Sequence, residues 1–214
     1  MQPEGCTEIG YRKGMKTDFK KELASYQARE GVFAEVDVPP LRYLMIDGRG
    51  DPNGQDYADV IAAIFGVAYK LKFMSKRELG RDYVVMPLEA LWWSEDMTAF
   101  TSGRDKTRWS WTALNLVPDW ITLDQFSGAV AVAADASSVD RLRLETLAEG
   151  RCVQTLQVGS FDDEGPVLEA MHHDVIPARG LQMKGMHHEI YLSDIRRTEP
   201  SKLRTILRQP VAPR

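Results

Sequence analysis

Two glutamates stand in stretches that otherwise read as strand interior, Pro87-Leu-Glu-Ala-Leu-Trp-Trp93 and His187-His-Glu-Ile-Tyr-Leu192. A carboxylate in such a place faces solvent, pairs with a cation across the ladder, or sits in a pocket where lost hydration raises its pKa and suits it to acid or base work. Strand alternation groups Glu89 with Leu91 and Trp93, and Glu189 with His187 and Tyr191. For Glu189, the flanking Tyr191 and an opposite face of His188, Ile190 and Leu192 favour the pocket. Glu89 stays open between the readings.

Four of the five tryptophans, Trp92, Trp93, Trp109 and Trp111, fall in two consecutive strand-like segments. They either fill the core or wall a site, since indole faces stack on planar or cationic molecules while a nearby carboxylate selects for positive charge. Tyr57, Phe65 and Tyr69, on the helix expected before these strands, are further ligand-binding candidates, as is Glu89. With Glu189 as general base, Tyr191, Tyr57 or Tyr69 would hydrogen-bond an oxygen gaining charge.

Other motifs carry less. His172-His173 and His187-His188 are adjacent pairs, which point apart and lack the i, i+4 spacing of a helical zinc site, so they read as structural and no metal is expected. Gly48-Arg-Gly50 lacks the rest of a dinucleotide fingerprint and reads as a turn, and no cofactor is expected. Cys6 and Cys152 form no CxxC and no disulfide framework, which fits a reducing compartment.

Positioning these side chains requires strands and helices in a regular order. Phe33–Val38 and Leu41–Ile46, separated by Pro39-Pro40, read as an antiparallel strand pair. Pro52 suits the first turn of a helix over about 55–73, whose apolar stripe is Val60, Ile64, Val67 and Leu71. Strands over 83–93 and 108–117 follow, separated by a polar loop over 94–106, and Thr122 to Gln125 has capping-box spacing before an Ala-rich helix to about Ala136. Segments 141–147 and 151–158 read as a hairpin through Glu149-Gly150, followed by a helix over 163–178 and a strand over 186–193. The basic run Arg196, Arg197, Lys202, Arg204 and Arg208 alternates with Leu203, Ile206 and Leu207 as a solvated helix face starting near Pro200.

Strand, strand, helix, strand thus occurs twice, which predicts an α+β fold of two sheet-and-helix halves about a cleft. The expected organisation is an arm over 1–30, carrying Phe19, Leu23 and Tyr26 at helical spacing, and one domain over 31–214. Its repeats span about 31–117 and 138–195, linked by a helix. With 43% hydrophobic residues and a net charge of −4, a large core is available and the basic footprint of a nucleic-acid binder is lacking. No apolar run is long enough to cross a bilayer and the start of the chain does not read as a secretion signal, so a cytoplasmic location is expected.

Several blocks extend this reading: Asp18-Phe-Lys-Lys-Glu-Leu23, Val36-Asp-Val-Pro-Pro40, Met45-Ile-Asp-Gly48, Gly50-Asp-Pro-Asn53, the two glutamate strands, Arg196-Arg-Thr-Glu-Pro200 and Leu207-Arg-Gln-Pro210. Together they resemble the stand-alone GyrI-like small-molecule-binding proteins of bacteria. The resemblance implies a duplicated βαββ, SOUL-like fold with a ligand cleft between halves, and it puts Glu189 in that cleft. A planar aromatic ligand is expected there, with Trp93, Trp109 and Trp111 stacking on it. The branch concerned includes hydrolases that open the cyclopropane of cyclopropanoid DNA-alkylating antibiotics, which would make the protein protective. The alternative implied by other relatives is non-catalytic drug binding or an interaction with DNA gyrase. Ala90 and Ile195 depart from the glycine and proline common in the family.

Overall fold

The computed structural model describes residues 16–93, 108–134 and 137–214. The expected loop over 94–106, the end of the Ala-rich helix at Ala136, and Cys6 lie outside the described residues. The strands are β1 (Ala34–Val38), β2 (Leu41–Arg49), β3 (Glu89–Trp93), β4 (Ser110–Leu116), β5 (Arg143–Leu147), β6 (Gly150–Val158), β7 (Leu181–Met183), β8 (His187–Tyr191) and β9 (Arg204–Pro213). The helices are α1 (Phe19–Glu22), α2 (Gln55–Glu78), α3 (Leu123–Val132), α4 (Gly165–Glu169) and α5 (Ile176–Ala178), and a π-helical turn over Ala170–Val175 joins the last two.

One antiparallel sheet runs in the order β1-β6-β9-β8-β3-β4-β2-β5, with β7 added on β9. Exchanging β1, β2, β3 and β4 for β5, β6, β8 and β9 reads this order backwards. The fold is therefore a duplicated βαββ of the α+β class, and β3 meets β8 where the halves join.

The expected pairing of β1 with β2 is incorrect, and so is the β5–β6 hairpin. β1 pairs with β6 from Ala34↔Gln154 to Val38↔Gly150, and β2 pairs with β5 from Leu41↔Leu147 to Met45↔Arg143. The register is unbroken across both bends. Pro39-Pro40 therefore bends one long strand without reversing it, and Gly150, at φ 68°, bends its partner.

The C-terminal segment is likewise a strand and not a helix. Pro200 opens only a three-residue 3₁₀ turn, and β9 then inserts between β6 and β8. A central strand buries both faces, so Ile206, Leu207 and Val211 form an apolar run whose spacing also satisfies a helix. Further back, Pro52 sits in the turn before α2, not inside it. The strand expected over 83–93 starts only at Glu89. Gly48 lies within β2, and the turn begins after it.

Two cores hold the sheet. On one face Val60, Ile64, Val67 and Leu71 of α2 pack on Leu44, Ile46, Trp92 and Ala113, each fully buried aliphatic side chain contributing about 1.5–3 kcal/mol. On the other, Phe19, Leu23 and Tyr26 of the arm pack against Met45, Leu91, Leu114, Ile190 and Ile206. The α4–α5 segment covers a smaller cluster with Met171 and Ile176 on Val153 and Leu207. The Thr122 capping box forms at α3, with Thr122 Oγ1 accepting from Gln125 N at 3.2 Å and Gln125 Oε1 accepting from Thr122 N at 3.0 Å.

Candidate functional site

Because Ala90 pairs with Glu189 and Glu89 with Ile190, the two glutamates project from opposite faces of the sheet. Glu189 faces the helix side, and its side chain is 12% exposed. Tyr191 donates its hydroxyl to Glu189 Oε2 at 2.7 Å and accepts from Trp92 Nε1 at 3.1 Å. Tyr57, from α2 of the other half, lies beside Tyr191. Burial pushes the Glu189 carboxyl up to about 7, although the hydrogen bonds from Tyr191 and Trp92 oppose the rise. Burial and the neighbouring carboxylate lift the Tyr191 phenol well above its ordinary value, so it stays a donor.

The surroundings are aromatic. Tyr57 meets Trp111 edge to face at 4.8 Å and Trp92 at 6.0 Å, and Trp92 meets Trp109 at 5.7 Å. Phe161, from the second half, packs edge-on against Tyr191 at 5.5 Å. Trp111 forms the wall behind these rings, because it is 1% exposed and lies across Gly48 of β2, where a Cβ would come within 2.0 Å of its ring. Trp109 is half-buried against the same cluster.

The expected candidates thus separate. Glu189, Tyr191, Tyr57, Trp109 and Trp111 come together. Trp93 does not join them, because alternation turns it to the arm side with Leu91, and Trp92 takes the place expected for it. Phe65 and Tyr69 lie further along α2, 6.5 Å apart, with Tyr69 50% exposed and near Arg196. Glu89 is fully enclosed on the arm side.

That arm-side environment was not legible in the sequence. His188 lies 3.0 Å from both Glu89 Oε2 and Glu149 Oε1, and Arg208 Nη1 lies 2.8 Å from Glu149 Oε2. The His188–Glu89 contact is ionic and not an aligned hydrogen bond. Arg208 donates further to Gln154 at 3.1 Å and to the Ser25 carbonyl, and Tyr26 donates to Glu89 Oε1. His188, Glu89 and Arg208 are all 0% exposed. The Glu149 carboxylate outweighs burial and raises His188 to about 9, while burial is likewise overcome for Glu149, which His188 and Arg208 lower to about 2. Two carboxylates and two cations therefore balance inside the sheet, and Arg208 is no part of a solvated face.

His187, which the sequence groups with Glu189 on one face but which reads there as structural, places Nε2 3.7 Å from Glu189 Oε1. Burial, with His172 and His188, depresses its pKa to about 3, so the ring is neutral and the contact is not an ion pair. Among the described residues no group of three or more His, Cys, Asp or Glu side chains is arranged to hold a metal ion. Cys152 is buried, and burial pushes its thiol up to about 12, so it is unreactive. No helix among the described residues is long and apolar enough to cross a membrane.

A duplicated βαββ sheet with an aromatic, carboxylate-bearing face at the join defines a small-molecule-binding class of domain. The chain belongs to the GyrI-like small molecule binding domain family, whose model matches residues 33–212. It is similar to an uncharacterized conserved protein from Listeria innocua, at 36% identity and a TM-score of 0.84 over 92% of this chain and 100% of that one. It is equally similar to a hydrolase encoded by lin2189 from Listeria innocua, at 36% identity and a TM-score of 0.81, with the same coverage. The EcmrR C-terminal domain shares the fold alone, at 9% identity and a TM-score of 0.53 over 86% of this chain and 98% of that one. No curated protein matches the sequence.

Proposed function

We propose that the protein binds planar, apolar aromatic molecules on the Trp92–Trp109–Tyr57 face and hydrolyses a strained cyclopropanoid ring there, with Glu189 as general base. One observation carries the reading: a carboxylate raised to about 7, held by Tyr191 with the Trp92 indole beside it. A base is most effective when its pKa lies near the working pH, and a group poised this way is far more common at a reacting site than on an ordinary sheet face. The hydrolase named among the similar solved structures is in keeping with it.

In the reaction, Glu189 takes a proton from water as the water oxygen bonds to the strained ring carbon. The ring C–C bond breaks, and its electron pair passes to the conjugated carbonyl. Tyr57 hydrogen-bonds that oxygen as charge develops, since the single hydroxyl proton of Tyr191 is donated to Glu189. The proton then passes from Glu189 to the oxyanion, restoring the base. One positioned base typically accelerates a reaction about 10²- to 10⁴-fold, and release of ring strain adds to the driving force.

The test is a titration of planar aromatic and cyclopropanoid compounds, followed by indole fluorescence and then by mass analysis. Quenching together with a product heavier by one water supports the reading. Quenching without product at any protein concentration would leave a sequestering protein for lipophilic cations.

A further inference from the structure

His187 is 8% exposed, and neither of its ring nitrogens has a hydrogen-bond partner among the described residues. Leaving an imidazole unsatisfied in a protein interior costs about 1–3 kcal/mol, so such a ring is ordinarily matched by water or ligand. Its Nε2 lies 3.7 Å from Glu189 Oε1. That separation is too long for a direct hydrogen bond and short enough for one water to lie about 2.8 Å from both atoms.

The ring is also held in place. The π-helical turn over Ala170–Val175 sets His172 against it, with ring centroids 5.8 Å apart and planes at 80°. Such π turns concentrate at functional sites, because the extra residue re-aims a side chain that a regular helix would point elsewhere. Burial, His172 and His188 keep His187 neutral, so the imidazole offers one N–H and does not compete with Glu189 for the proton.

We propose that His187 positions the hydrolytic water, its Nε2–H donating to the water oxygen while the water donates to Glu189 Oε1. The second lone pair of the water is then left for the ring carbon. The inference deepens the proposed hydrolysis and rests on it. The imidazole itself is neither protonated nor consumed, and the proton follows the route from water to Glu189 to the oxyanion.

The experiment compares wild type, His187→Leu and His187→Gln in two readouts: turnover of a cyclopropanoid substrate, and binding of the ring-opened product by indole fluorescence. His187→Leu is expected to lower kcat about 10- to 100-fold, the order of loss that follows from misplacing a reactant, while product affinity stays within about two-fold. His187→Gln, whose amide restores a donor, is expected to recover part of the loss. Unchanged kcat in His187→Leu overturns the inference, as does a loss of kcat matched by an equal loss of affinity. Should His187→Leu fail to fold, a kcat in His187→Gln no better than in His187→Phe overturns it equally. A wild type without turnover overturns the hydrolysis and the water position together, whereas an active wild type with an equally active His187→Leu overturns the water position alone.

Discussion

At the scale of residues, the buried carboxylates of Glu189 and Glu149 titrate in opposite directions because their partners differ. Glu189 has only neutral donors and is raised to about 7, so turnover is expected to rise with pH through about 7 and level off above it. A pH–rate profile checks this. His188 contributes in the reverse sense: raised to about 9, it stabilises the fold fully below its ordinary value near 6.5, and that contribution is lost as pH rises through about 9. Glu149, lowered to about 2, stabilises above its ordinary value and loses that contribution as pH falls through about 2. Removing one member of the quartet leaves an uncompensated buried charge. Arg208→Met is therefore expected to cost about 3–5 kcal/mol in urea unfolding. Alternation along a single strand made the shared face of Glu189, Tyr191 and His187 readable from sequence. The quartet was not readable, since β8, β9 and the β5–β6 bend meet only through long-range pairing. Taken locally, Glu149 looked like a turn residue and Arg208 a surface charge.

At the scale of elements, alternation fixed which residues share a face but not which face meets which neighbour. Trp92 and Trp93 are equivalent until the β3–β8 register sets Ala90 against Glu189, after which only Trp92 reaches the carboxylate side. The C-terminal strand failed for a related reason: a strand buried on both faces has no alternation, and its apolar run imitates helical spacing. The helices were more readable, as the buried stripe of α2 and the Thr122 cap show, because their signals are local. The β2–β4 pair gives an element-level prediction. Gly48 faces Trp111 across the ladder, and a Cβ there would lie 2.0 Å from an indole that is itself buried. Gly48→Ala is expected to destabilise by about 1–3 kcal/mol and to blue- or red-shift the indole emission as Trp111 leaves its place beside Tyr57. Urea titration followed by fluorescence reads both effects.

At the scale of the whole molecule, duplication brings together at the join side chains that neither half alone supplies. Tyr57 and Trp92 come from the first βαββ unit, and Glu189, Tyr191, His187 and Phe161 from the second. The order of elements conveyed this duplication even where pairing was misread, since strand, strand, helix, strand survives whether the first two strands fold back or run on. The arm closes the opposite face and ties the halves together, with Tyr26 on Glu89 of β3 and the Ser25 carbonyl on Arg208 of β9. Tyr26→Phe leaves the Glu89 carboxylate short of one donor, and a loss of about 1–3 kcal/mol is expected in equilibrium unfolding, with ligand binding unchanged.

The proposed function rests on the Glu189 carboxylate acting as the base at an aromatic site. The most direct test compares wild type with Glu189→Gln, an isosteric change, in single-turnover hydrolysis of a cyclopropanoid substrate, with the bound fraction followed in the same samples by indole fluorescence. Retained binding with hydrolysis slowed about 10²-fold or more is the predicted result. Hydrolysis at the wild-type rate in Glu189→Gln would contradict it.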